Sequence, residues 1–182
     1  DVQRAVAKAI KHDITILSMH TNMDNAQGGV NFKMAEKMQL TGVKFFTEKQ
    51  VDGITCGSGV MGELPGAMAA DDFIMMLKRE FDVECVQCNQ LLRRPIRTVA
   101  ICGGAGSFLL PEAIAAGADA FVTGEMHYHD YFAHEQEIQI AVIGHYQSEQ
   151  YTYEIFKSII EEQCEGVRCV VTSQNTNPII YL

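Results

Sequence analysis

Apolar side chains recur at helical spacing at Val2, Ala5, Val6, Ala9 and Ile10, which predicts a helix over residues 2–12. The period then shortens: Ile14, Ile16 and Met19 predict a strand over 14–19. A polar loop containing Asp24 follows and reaches Gly28-Gly29, where a helix over 30–40 begins. Residues 42–67 place Gly53, Gly57, Gly59 and Gly62 among Ile54, Cys56 and Val60, the pattern of an extended hairpin or an irregular strand lying close to another backbone. Asp71 or Asp72 is expected to cap a helix running to Phe81, with a strand over 83–88 behind it. Residues 91–96, with Arg93, Arg94 and Pro95, read as a connector between two halves.

Past the connector, Arg97-Thr-Val-Ala-Ile-Cys102 reads as a buried strand, and it feeds Gly103-Gly104-Ala105-Gly106-Ser107. A helix to about Ala116 is expected, stopping at Gly117, and then a strand over 120–123. The pattern continues with a helix over 127–135, a strand over 140–143, a long helix over 147–163, a strand over 167–172 and an extended tail from Asn177 to Leu182. Strands alternating with helices define an α/β fold, a layered, mainly parallel sheet flanked by helices. Two lobes with a cleft between them are expected, 1–96 and 97–182.

Chemistry concentrates at the strand ends, where α/β proteins collect ligands. His145 and Glu149 stand four apart at the start of a helix, about 5–6 Å apart at Cβ on one face. An imidazole and a carboxylate so placed can grip a divalent ion. The alternative is a polar cap with a carboxylate complementing the helix dipole. Asp24 offers a third ligand from a second strand end, or else closes an Asx-turn. Glu125, His127 and His129 form the densest acid–base stretch, with His134 further along, and can serve as general acid or base beside a metal-bound water or simply form a solvated helix start. Gly103, Gly104, Gly106 and Ser107 resemble an anion cradle at a helix N-terminus, although a close-packed turn explains them as well. Cys85 and Cys88 form an isolated C-x-x-C in an expected strand, poor context for zinc or redox work.

Composition narrows the classes. The 182 residues are 47% hydrophobic and 20% charged, ordinary for a globular protein, and the net charge of −9 argues against gripping nucleic acid or anionic membranes. No apolar run is long enough for a bilayer span and the start does not look like a signal peptide, so the cytoplasm is the expected location. The chain opens on Asp1, directly in a helical pattern, and an upstream part is therefore expected.

Four segments together carry a family resemblance: His20-Thr-Asn-Met-Asp24 with Gly28-Gly29-Val30-Asn31, Val99 to Ser107, Thr123-Gly-Glu-Met-His-Tyr-His129, and Gly144-His-Tyr-Gln-Ser-Glu149. In this order they resemble the GTP cyclohydrolase I type 2 homologue family, also called Nif-three-like. The resemblance implies a cleft with two divalent metal ions (zinc, iron or manganese) and a ring-shaped homo-oligomer, usually a hexamer. Asp24, His145 and Glu149 fall on metal-ligand positions, Glu149 as the bridging carboxylate; His129 falls on a motif histidine near the centre and His20 on the aspartate's motif. The family's two adjacent upstream histidines have no counterpart here, nor has the inserted domain of its larger members. The implied activity is metal-dependent hydrolysis of a nucleotide or related small molecule. The competing expectation is a non-catalytic, metal-stabilised scaffold or interaction module.

Overall fold

A computed structural model describes residues 1–180. Its centre is a six-stranded sheet in the order β1-β4-β6-β7-β8-β5, where β1 is Thr41–Phe45, β4 Val60–Met68, β5 Gln87–Cys88, β6 Ile96–Cys102, β7 Ala120–Thr123 and β8 Gln139–Val142. β6, β7 and β8 run parallel, while β1, β4 and β5 join antiparallel on either side. A separate hairpin, β2 (Glu48–Val51) and β3 (Ile54–Gly57), turns at Asp52-Gly53. Both turn residues have φ near +51° and +79°, as a two-residue hairpin loop demands. Strands from both sides of residue 96 share the sheet, for β4 pairs with β6 and β5 with β8.

Residues 99–102, 120–122 and 140–142 of the three parallel strands are apolar because both faces are covered. Val99, Ile101, Ala120, Val122, Ala141 and Ile143 face a core with Phe73, Leu77 and Phe81 of the helix α4 (Ala70–Glu80) and its end, and with Met34 and Ala35 of α3 (Val30–Lys37). Ala100, Cys102, Phe121, Ile140 and Val142 face the opposite side, under Leu110 and Ala113 of α5 (Leu110–Ala115). Phe73 and Phe121 are fully buried. Truncating either to alanine is expected to cost about 3–5 kcal/mol, read as a lowered denaturation midpoint without a changed slope.

The lower ends of the strands are tied by Asp119. Its carboxylate accepts from the backbone N–H of Arg97 and Thr98 at 2.9 Å each and pairs with Arg94. Burial pushes the Asp119 carboxyl up, but these amides and the guanidinium together hold it below the ordinary carboxylate range. The stabilisation is present above the unfolded aspartate pKa, near about 3.9, and is lost as the pH falls through the lower folded value. Asp119→Ala is expected to cost about 2–3 kcal/mol at pH 7. The gap from the unmodified protein should close in acid, and paired denaturant titrations at pH 7 and in strong acid check it.

Several expected elements differ. α1 (Val2–Lys11) forms, but of its stripe only Ala9 is buried, with Val2 and Ile10 exposed. Residues 14–19 and 167–172 form no strand, since a strand needs a ladder partner that periodicity cannot supply. The strand expected over 83–88 shrinks to Gln87–Cys88. Helix 127–135 is replaced by a short 3-10 turn, Tyr128–Tyr131, and the left-handed φ of Ala133 and Gln136 stops anything longer. Neither Asp71 nor Asp72 caps α4; Ala69 holds that position and both acids lie in the first turn, where they complement the dipole. The long helix is two, α6 (His145–Glu149) and α7 (Thr152–Gln163), and the Thr152 hydroxyl donates to the Glu149 carbonyl at the break. The last residues of the expected tail, Tyr181 and Leu182, lie outside the described residues.

Candidate metal centre

Because β6, β7 and β8 are parallel, their carboxyl ends meet at one edge. Cys102 leads into the glycine turn, Thr123 into Gly124-Glu125, and Val142 through Ile143 and Gly144 into His145. His145 stands between two carboxylates: Nδ1 is 2.7 Å from Glu125 Oε1 and Nε2 is 3.4 Å from Glu149 Oε1. Two ligand atoms on one tetrahedral ion, each about 2.0–2.1 Å from it, lie about 3.3 Å apart. The Nε2–Oε1 edge therefore has the span a shared ion requires.

Asp24, in the short helix α2 (Thr21–Asp24), lies near enough for its charge to act on Glu149 and Cys102. Burial pushes its carboxyl above its ordinary value, against the pull of the His20 and His145 imidazoles. Glu149 is likewise raised by burial, lowered by His145 and raised again by the charge of Asp24. Burial, with the charges of Asp24 and Glu149, pushes the nearby Cys102 thiol up to about 12, so it stays protonated and unreactive. Among the described residues no group of three His, Cys, Asp or Glu side chains already stands in ligating position. The site offers one two-ligand edge, with a further carboxylate close enough for its charge to be felt.

The glycine turn is the frame of this site. Gly103 N–H donates to Asn31 Oδ1 at 2.8 Å, Gly104 N–H to Ser148 Oγ at 2.9 Å and Gly106 N–H to Thr123 Oγ1 at 3.2 Å. Those amides have no hydrogen left for a phosphate, so the anion-cradle expectation for Gly103, Gly104 and Gly106 loses its physical basis. Ser107 instead begins a 3-10 turn and lines the cavity beside His145. Gly104 has φ +61° and its missing Cβ would meet Glu149 Oε1 at 2.4 Å, so only glycine lets Glu149 lie across the turn. Gly29 has the same use on the other side: a Cβ there would stand 1.9 Å from the Met23 carbonyl oxygen, so α3 can start directly under α2.

Asn31, Ser148 and Thr123 are buried polar residues whose part residue spacing did not reveal. Asn31 is the bridge, for its Nδ2 also donates to the Asp24 carbonyl at 3.0 Å. Their common signal is a polar side chain inside an otherwise buried stretch. Among the acid–base candidates, Glu125 is engaged with His145 and so acts first as its orienter. His129 is exposed and packs against Tyr128 and Phe132, with ring centroids 5.3 and 6.3 Å away. It is His127 that lines the cavity shared with Glu125 and His145. His20 is exposed, near enough to act on Asp24 by charge.

Fold and site together define an α/β protein with a histidine–carboxylate cluster at the carboxyl ends of its parallel strands. The family model for Duf34/NIF3 (NGG1p interacting factor 3) matches residues 1–178, and the chain belongs to this family. A GTP cyclohydrolase 1 type 2 homolog of Streptococcus pneumoniae is 33% identical over 124 residues, 66% of this chain and 45% of that protein. Another, from Clostridium perfringens, is 28% identical over 183 residues, 98% of this chain and 69% of that protein. The chain thus matches less than half the length of the first relative. Staphylococcus aureus protein SA1388 has a similar fold, with a TM-score of 0.85 over 97% of this chain and 72% of its own at 24% identity. A Bacillus cereus protein related to NIF3 gives 0.83 over 98% of this chain and 76% of its own at 21% identity.

Proposed function

We propose that this chain holds a divalent metal centre through Asp24, His145 and Glu149 and uses it to hydrolyse a small molecule. The observation that carries the reading is the double engagement of His145. An imidazole that donates Nδ1–H to a carboxylate presents its lone pair at Nε2, the arrangement by which metal-ligating histidines are oriented. A bound divalent ion supplies an activated water and polarises an oxygen. The chain's own side chains do the rest. Glu125 fixes the tautomer and plane of His145, Asp24 and Glu149 supply the negative charge a cation needs, and His127 stands at the cavity wall to accept or deliver a proton. The proposal extends to two ions, zinc, iron or manganese, which Asp24, His145 and Glu149 would hold, Glu149 as the carboxylate shared between them. A cytoplasmic location belongs to the same proposal; no helix among the described residues is long and apolar enough to cross a membrane.

The names of the relatives suggest ring opening of a guanine nucleotide as the reaction. Untagged protein purified without added metal should contain close to stoichiometric zinc, iron or manganese by elemental mass spectrometry. Its turnover across nucleotides, phosphoesters and cyclic amides should vanish with chelator. Metal-free protein, or turnover indifferent to chelator, would contradict the reading.

Exposed apolar side chains favour a second role, self-association into the ring-shaped homo-oligomer or presentation of a partner surface. Ile10 is 77% exposed, Leu17 80% and Val170 76%. Light scattering should then give a mass well above the 20.2 kDa of one chain, and Leu17→Asp with Val170→Asp should bring it down. A monomeric unmodified protein would remove the ring from the proposal.

A further inference from the structure

We propose that the cavity beside His145 binds an uncharged planar ring carrying amide-type groups, which makes the substrate a cyclic amide or heterocycle held by its ring and not by phosphate. The inference rests on the hydrolase reading and names its substrate class. The cavity has a volume of about 470 Å³, within the range of small-molecule sites. Met126, Val142 and Ile143 give it apolar surface, and Gln87 and Ser107 give it hydrogen-bonding groups. Flat rings with polar edges ask for this mixture.

Gln87 is placed by two contacts. Its backbone pairs with Val142 across the β5–β8 ladder, and its Oε1 accepts from the Tyr131 hydroxyl at 3.4 Å. That leaves the carboxamide NH₂ to donate to a ligand carbonyl, while the Ser107 hydroxyl can donate or accept. The charges point the same way. Glu125 lines the cavity, and the basic groups lining it among the described residues are the imidazoles of His127 and His145, the second already engaged by Glu125. Apart from the cation of the hydrolase reading, a phosphate would meet this carboxylate, and beside it a turn whose Gly103, Gly104 and Gly106 amides are already taken.

Hydrolysis of such a ring adds one water across the C–N bond. The water oxygen bonds to the carbonyl carbon, and the C–N electron pair leaves with the nitrogen, which takes a proton. The ring opens to a carboxylate and an amine.

The test uses the full chain in chelator, observed through its methionine methyl resonances, with Met126→Leu assigning the signal of interest. Uracil, dihydrouracil and hypoxanthine are the ring probes, and uridine, its mono- and triphosphate, and pyrophosphate report on charge. At least one ring should shift the Met126 methyl saturably, and affinity should stay level or fall from uridine to the triphosphate. Gln87→Ala, at an exposed position, should weaken ring binding at least tenfold with the rest of the spectrum unchanged. Absence of a Met126 shift with every ring, displacement of a ring by pyrophosphate, affinity rising with each phosphate, or an unaffected Gln87→Ala would each overturn the proposal. Since metal is absent throughout, rings bound by a protein that takes up no metal would leave this cavity assignment standing while the hydrolase reading fell.

Discussion

Glu149→Gln should weaken divalent-metal binding at least 100-fold, about 2.7 kcal/mol, while leaving the protein folded. The loss follows from geometry: Glu149 Oε1 forms one end of the 3.4 Å edge with His145 Nε2, and a carboxamide is a far poorer ligand for a hard cation. The fold survives because glutamine has nearly the same shape and fits the space beneath Gly104 that the absent Cβ leaves open. It also relieves a carboxylate that burial and the Asp24 charge both disfavour. Metal-free stability should therefore hold or rise slightly. Titration calorimetry with zinc or manganese, beside thermal unfolding in chelator, checks both halves. A variant that loses its fold together with its metal would assign the ion a structural role instead.

Asn31→Leu is expected to have the largest combined effect, about 2–4 kcal/mol of stability together with weaker metal binding. Asn31 is 1% exposed, accepts from Gly103 N–H and donates to the Asp24 carbonyl. A leucine of similar size leaves both backbone groups buried and unpaired, and each such group costs about 1–3 kcal/mol. Asp24 also loses its backbone link to the glycine turn across which Glu149 lies, so the third carboxylate is positioned less well toward that edge. Ser148→Ala, which removes the acceptor for Gly104 N–H but not the Asp24 link, offers the contrast. It should cost stability with a smaller change in metal affinity. Equal effects of the two substitutions on affinity would show that Asn31 does not position Asp24.

The strands at Ile96–Cys102, Ala120–Thr123 and Gln139–Val142 were legible because burial on both faces leaves nearly unbroken apolar runs. The His145–Glu149 pair was legible because four-residue spacing is a local property of one helix, and α6 begins and ends on those two residues. The glycine turn was harder. Its amide acceptors Asn31, Ser148 and Thr123 lie 72, 44 and 17 positions from their donors, so no local pattern could separate a saturated turn from an anion cradle. The helix expected over 127–135 gives way to the 3-10 turn Tyr128–Tyr131, and the left-handed Ala133 behind it is not a glycine and gave no warning. The apolar stripe of α1 marks a helix, but a stripe does not say what it packs against.

Anomalous diffraction from crystals of the untagged chain soaked in zinc addresses the metal centre most directly. One strong peak is expected between His145 Nε2 and Glu149 Oε1, about 2.0–2.2 Å from each, with the Asp24 carboxylate drawn in as the next ligand. Zinc found only at Cys85 and Cys88, or a clean map at the ends of β7 and β8, would contradict it.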